Sequence, residues 1–295
     1  MNMKLRSLTS CALLLVLLTV GSFAADVRST SDWPRQSDDL TSPVRSGSKT
    51  TYFDLLRELF PDLQEDATTH RTIPLASLNE PQQKQEVTGD ITFNFKPYWI
   101  NSEGRRLLVL WVEITDEDAN QGTPYQGGAV VLTVFALEPR VKLLDAMRVE
   151  SDRFTSLWDK PPILRLNAQS DALIFYNYHW NAGENFQDIV VLFVDAGRFK
   201  TITNQFIFNF TTCGATFSET PTFRVVADPG NKYPQVLVKV RLTKKPEKNT
   251  CEPQARGYTR TYQGLYRWNK AKGMYEGHSQ QLDRFDRFNK RWLSS

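Results

Sequence analysis

Histidine and cysteine are scarce in this sequence, with three of each among 295 residues. A three-histidine metal centre would need His70, His179 and His278 to meet. None of the cysteines has a second Cys or a His at zinc-ligand spacing. Gly and Pro number 15 each, which excludes a collagen-like or proline-rich fibre. Charge of one sign is missing as well. Lys and Arg total 36 against 33 Asp and Glu, a formal +3 that gives no electrostatic reason to expect nucleic acid as a partner. P-loop, dinucleotide, His-Glu-x-x-His, Cys-x-x-Cys and Gly-x-Ser-x-Gly motifs are all absent. No cofactor is therefore expected.

Long apolar runs are also lacking, with one exception at the start. Lys4 and Arg6 precede the apolar stretch 12–20, ALLLVLLTV, and Ser22-Phe23-Ala24 follows with small residues at both key positions. This is the outline of a secretory signal peptide spanning 1–24, with cleavage after Ala24. The stretch is too short to span a bilayer comfortably. Cys11 lies before it, not at its end, which argues against a lipid-anchored cysteine. The mature chain is thus expected to be exported, periplasmic or extracellular, with no transmembrane anchor. Removing residues 1–24 lowers the formal charge by two and leaves Cys213 and Cys251 as a pair. In an oxidising compartment such a pair forms a disulfide. The loop closed, about 38 residues, corresponds to about 4 kcal/mol in the chain-entropy picture.

Hydrophobic residues make up 40% of the chain and charged residues 23%, enough apolar material for a sizeable core. Residues 25–50 are polar and read as a flexible leader, and 51–295 as a single mainly β domain. Its entry segment, 51–89, is a helix plus loops. Tyr52, Leu55, Leu56 and Leu59 recur at helical spacing, Thr51 and Asp54 suit a capping box, and Pro61 ends the helix after two to three turns. From residue 90 the texture becomes alternating and β-branched. Ile91, Phe93 and Phe95 fall on one strand face. Residues 106–115 and 128–137 are continuously apolar, as central strands are. Residues 141–150 suit a strand or a short helix equally. Strands follow at 163–167, 171–180, 187–195, 199–209, 222–227 and 236–242, and a last hairpin runs from 258 to 276. Val236, Val238, Val240 and Leu242 alternate with Lys239 and Arg241, so that strand has one wet face. Leu282, Phe285, Phe288 and Trp292 mark a C-terminal helix over 280–292, with Ser279 as its cap. Short connections favour antiparallel pairing. The expected architecture is an antiparallel sandwich or curled multi-sheet fold with short N- and C-terminal helices, and the alternative is an irregular β-propeller-like arrangement.

Aromatics are plentiful: 18 Phe, 10 Tyr and 7 Trp. Tyr176, Tyr178 and Trp180 share one strand face, and Tyr262, Tyr266 and Trp268 share another. Rigid aromatic area with a polar handle suits contact with a protein, peptide or glycan. These six residues are the candidate binding face. His179 with Asp188 across the hairpin is the weaker catalytic candidate. Glu113, Asp116 and Asp188 are carboxylates without a defined pairing. Asp116, Asp118 and Asn120 space oxygen ligands as calcium loops do, although the late bidentate Glu is missing. Asn209-Phe210-Thr211 matches the glycosylation acceptor pattern. The sequence thus favours an exported non-catalytic binding protein. A secreted hydrolase with an acidic or His-centred site, and a structural envelope or surface component, are the alternatives. Intact mass of protein recovered from its own compartment is expected to match residues 25–295, lighter by two hydrogens before reduction. A retained N-terminus or free thiols would overturn the export-and-disulfide expectation.

Overall fold

The computed structural model describes residues 40–69, 73–78, 84–87, 90–91, 95–115, 129–149, 156–157, 162–181, 183–247, 256–277 and 279–293. The signal segment, His70, His278, Cys251 and the calcium candidates Asp116, Asp118 and Asn120 lie outside them. The chain enters through helix α1 (Tyr52–Arg57), whose capping box is formed as the sequence predicts. Thr51 Oγ1 accepts from Asp54 N–H at 3.2 Å, and the Asp54 carboxylate accepts from Thr51 N–H at 2.8 Å. The helix is shorter than expected, six residues, because the chain turns after Arg57, ahead of Pro61. The leader also ends earlier than expected. Leu40 and Val44 are buried against α1, so packing begins at least ten residues before the boundary read from composition.

Two sheets follow. The first has seven strands: β1 (Ile73–Ser77), β2 (Lys84–Val87), β3 (Asp90–Ile91), β4 (Lys96–Ser102), β5 (Arg105–Thr115), β6 (Ala129–Ala136) and β7 (Lys142–Val149). Their order is β2-β1-β7-β6-β5-β3, with β4 also on β5. The undecided segment 141–150 is therefore a strand. One pair departs from the antiparallel expectation: β1 runs parallel to β7. The second sheet has nine strands: β8 (Ser156–Leu157), β9 (Ile163–Asn167), β10 (Ser170–Asn181), β11 (Glu184–Asp195), β12 (Arg198–Thr211), β13 (Ala215–Val226), β14 (Gln235–Pro246), β15 (Tyr258–Asn269) and β16 (Met274–Gly277). It meanders antiparallel from β8 to β16, with β9 on β10. Strands joined into two sheets, not into repeated blades, settle the choice for a multi-sheet sandwich over a propeller. Helix α2 (Gln280–Leu293) ends the described chain.

The continuously apolar strands are buried on both faces, which is why they lack alternation. In β5, Leu108, Leu110 and Val112 face α1, while Leu107, Val109 and Trp111 face the second sheet. In β10 and β11, Leu173, Phe175, Val190, Leu192 and Val194 meet that same interface. Their neighbours Ala172, Ile174, Ile189, Val191 and Phe193 point the other way and meet Val236, Val238, Val240, Trp268 and Tyr275. The second sheet thus folds over on itself, and β10–β12 form the middle of three β layers. The crease is the β12–β13 hairpin. These strands span 14 and 12 residues yet pair only at Phe210–Phe217 and Thr211–Thr216. Beyond those pairs they diverge, and α2 seats Leu282 and Phe285 in the core under the fold. Gly264 permits the close approach. A Cβ there would sit 2.5 Å from Leu282 Cδ1 and 2.9 Å from Ser279 Cβ.

Polar ties fasten the first sheet to the second. Ser102 Oγ donates to Val194 O at 2.8 Å, and Asp171 Oδ2 accepts from both the backbone and the side-chain amide of Asn101 at 2.8 Å. Phe193 is 1% exposed and sits edge-on to Tyr233, Trp268 and Tyr275. Phe193→Ala is expected to cost about 3–5 kcal/mol in urea unfolding, because three aromatic rings would line the resulting cavity. A loss under about 1 kcal/mol would mean that the middle layer is not packed as described.

Candidate functional site

The β10–β11 hairpin carries the first predicted aromatic group. Its register pairs Tyr178 with Gln187, His179 with Phe186 and Trp180 with Asn185. Tyr176 packs against the innermost core, and its ring meets Tyr178 edge-on at 6.5 Å. On the opposite face His179 and Phe186 lie 5.9 Å apart, and Phe186 continues to Phe206 at 6.5 Å. From Phe186 a row of rings runs across the sheet. Phe186 stacks on Phe208 at 4.8 Å, Phe208 on Phe210 at 4.6 Å, and Phe210 on Phe217 at 4.5 Å. Trp292 of α2 closes the row, 4.8 Å from Phe210. Tyr176, Tyr178, His179, Phe186 and Phe206 are all half-buried, and the inner end of the row is buried.

The second aromatic group serves the core. Tyr258, Tyr262, Tyr266 and Trp268 all fall on the same phase of β15, and that face is inward. Trp268 is buried between Tyr233, Phe193 and Tyr275. Tyr262 lies 5.3 Å from Phe285 of α2. Tyr266 packs on the same core, and burial raises its hydroxyl above the ordinary tyrosine range. Strand β15 is wet on the opposite phase, at Thr259, Thr261, Gln263 and Arg267. Tyr262, Tyr266 and Trp268 therefore belong to an inward face, and the Trp180 side chain lies outside the described residues.

Asp188 stands opposite Asn177, and His179 stands opposite Phe186, so the two are diagonal neighbours on one face. Glu113 is engaged locally by Trp111 Nε1 at 3.3 Å. Asn209 spends its Oδ1 on the Glu219 N–H across the crease, and Phe210 beside it is buried, so this glycosylation triplet is built into the fold. Among the described residues no group of three His, Cys, Asp or Glu is placed to hold a metal ion.

Two charged sites escaped the sequence. At the end of the layers opposite the β10–β11 hairpin, two-residue turns at Glu103-Gly104 and Ala196-Gly197 both take positive φ, the geometry that matches strand twist. Lys232 Nζ bridges them, 2.6 Å from Glu103 Oε1 and 2.6 Å from Asp195 Oδ1. Tyr233 donates to the same Asp195 oxygen at 2.7 Å. Burial alone would raise the Asp195 carboxyl, but the Lys232 and Tyr233 hydrogen bonds outweigh it and hold it below the usual range. The Tyr233 hydroxyl is pushed up, chiefly by burial and then by its bond to Asp195. The second missed residue is Glu219, 5% exposed, at the crease. Its signal was phase: Phe217, Glu219, Pro221 and Phe223 share the inward side of β13, and a strand begun at 222 conceals that.

Comparison of the chain with protein-family models, with curated proteins and with solved structures returns no match. The functional reading accordingly rests on geometry. For the turn cluster, Lys232→Met is expected to return the Asp195 carboxyl toward the ordinary aspartate range, followed by side-chain carboxyl NMR titration. An unmoved Asp195 would mean that the Lys232 bridge does not exist in solution.

Proposed function

We propose that this is an exported, non-catalytic binding protein that engages a protein, peptide or glycan through the turn end of the β10–β11 hairpin. The observation that carries the reading is the set of half-buried aromatics at that end, Tyr176 and Tyr178 on one face and His179 with Phe186 on the other, held on strands whose other ends are locked in the core. Such a group is pre-organised, since ordering it on binding costs little side-chain entropy. Aromatics of this kind supply large contact area with few rotatable bonds.

Export is part of the same reading and rests on residues 1–24. Among the described residues no helix is long and apolar enough to cross a membrane. The Cys213–Cys251 disulfide belongs here too. Glu247 N–H donates to Gly214 O at 3.1 Å, and Thr216 Oγ1 reaches the Glu247 carboxylate. The segment leaving β14 therefore begins beside the turn that holds Cys213. Four residues reach about 14 Å at most, ample for Cys251 to return to that turn.

The test uses mature protein against glycan and peptide arrays and against its own compartment's extract. Tyr178→Ala with Trp180→Ala is expected to weaken the strongest interaction at least tenfold while the unfolding midpoint barely moves. Unchanged binding by a folded double variant would place the contact elsewhere. Turnover of an ester, peptide or glycoside that His179→Ala or Asp188→Asn abolishes would replace the binding reading with a hydrolase.

A further inference from the structure

The crease between β12 and β13 contains a buried acid whose hydrogen bonds do not close. Glu219 Oε2 accepts from Phe208 N–H at 2.7 Å and from Asn289 Nδ2 at 3.1 Å. Glu219 is 5% exposed and Asn289, on α2, is 1% exposed. The other oxygen of each group, Glu219 Oε1 and Asn289 Oδ1, is buried with no hydrogen-bond partner among the described residues. One N–H···O bond joins the two side chains, and each keeps one buried oxygen that lacks a donor. A buried oxygen left without a donor costs about 1–3 kcal/mol, and a buried carboxylate costs more. One proton removes both orphans and the charge.

We propose that Glu219 is held as a neutral carboxylic acid whose O–H donates to Asn289 Oδ1, and that this proton latches α2 into the wedge between β12 and β13. The acid then mimics an amide: its C=O oxygen takes the Phe208 and Asn289 N–H groups, and its O–H satisfies the Asn289 carbonyl. The apolar surroundings and the nearest charge favour the neutral form. Leu242 is the register partner of Glu219 on β14, and Phe208 and Phe217 are apolar neighbours. Lys244 is turned onto the Phe217 ring, 5.3 Å from its centre. On α2, Asp286 is the charged group that bears on Glu219. Its negative charge opposes a second one there, and Lys290 acts on Asp286. Burial accordingly pushes the Glu219 carboxyl up to about 8, against the pull of its two hydrogen bonds.

The sign follows. The closed form keeps a proton that the opened or unfolded form releases near the ordinary glutamate value. The latch is complete at low pH and weakens as pH rises from that value through about 8. Opening α2 would withdraw Leu282 and Phe285 from the core and uncover the stacked rings at Phe208, Phe210 and Phe217.

Hydrogen exchange of the α2 amides, corrected for intrinsic rates, reads the latch directly. In the wild-type protein the protection factor is expected to fall about tenfold per pH unit between about pH 5 and 8. In Glu219→Gln, whose amide donates and accepts without titrating, protection should be flat over that range and higher than wild type at pH 8. Protection that is pH-independent in the wild type, or equally pH-dependent in the variant, would overturn the proposal. Should the variant not fold, the carboxyl carbon of Glu219 in the wild-type protein decides by NMR. Titration near 8 supports the latch, and titration in the ordinary glutamate range refutes it.

Discussion

The opening of the ladder between β12 and β13 is the constraint from which the rest of the second sheet follows. A flat nine-stranded sheet would leave one broad face without a partner. By abandoning their hydrogen bonds after two residue pairs, β12 and β13 let the later strands fold back over the earlier ones. The cost falls on backbone groups that lose their ladder partners inside the protein. Side chains take those places. The Asn209 carbonyl accepts from Glu219 N–H, and the Glu219 carboxyl accepts from Phe208 N–H. The free edge of β15 is treated likewise. Gln263 N–H donates to the Gln281 side chain, and Gln263 O accepts from Ser279 Oγ, both at the start of α2. The helix thus serves as filler and as a source of hydrogen bonds where the sheet has none.

Folding the sheet over has a second effect. Strands β10 and β11 become an interior layer, apolar on both sides, as β5 is between α1 and the second sheet. Such strands have no solvent phase to keep them in register, so turns and polar ties must do it. The one-end cluster supplies this. Turns at Glu103-Gly104 and Ala196-Gly197 are joined by Lys232, and Asn101 holds Asp171 across the gap between sheets. With that end fixed, the far end of β10–β11 is left to carry half-buried aromatics.

Much of this was legible in the residues. The Thr51–Asp54 cap, the alternation in β14, the uniform apolarity of β5 and the four apolar positions of α2 each declare a local geometry with one solution. What lay beyond reach was relational. Nothing local distinguishes Trp268 as buried and Tyr178 as half-buried, because both sit on aromatic phases of strands. The difference arises from which layer lies opposite. The parallel β1–β7 pair was hidden for the same reason, since β1 reads as an ordinary short strand and its partner lies some 70 residues on. Glu219 was obscured by a boundary: begun at Ala215, the strand shows an acid on an apolar phase, the sign of a buried charge or of none at all.

The position of α2 in the chain also sets the order in which the layers can be completed during synthesis. Residues up to Phe199 suffice for the interface between the two sheets. The innermost core needs Leu282 and Phe285, and the aromatic row needs Trp292, all within the last 14 residues of helix. The interface between the sheets can therefore assemble from the earlier part of the chain, while the innermost core and the aromatic row wait for α2.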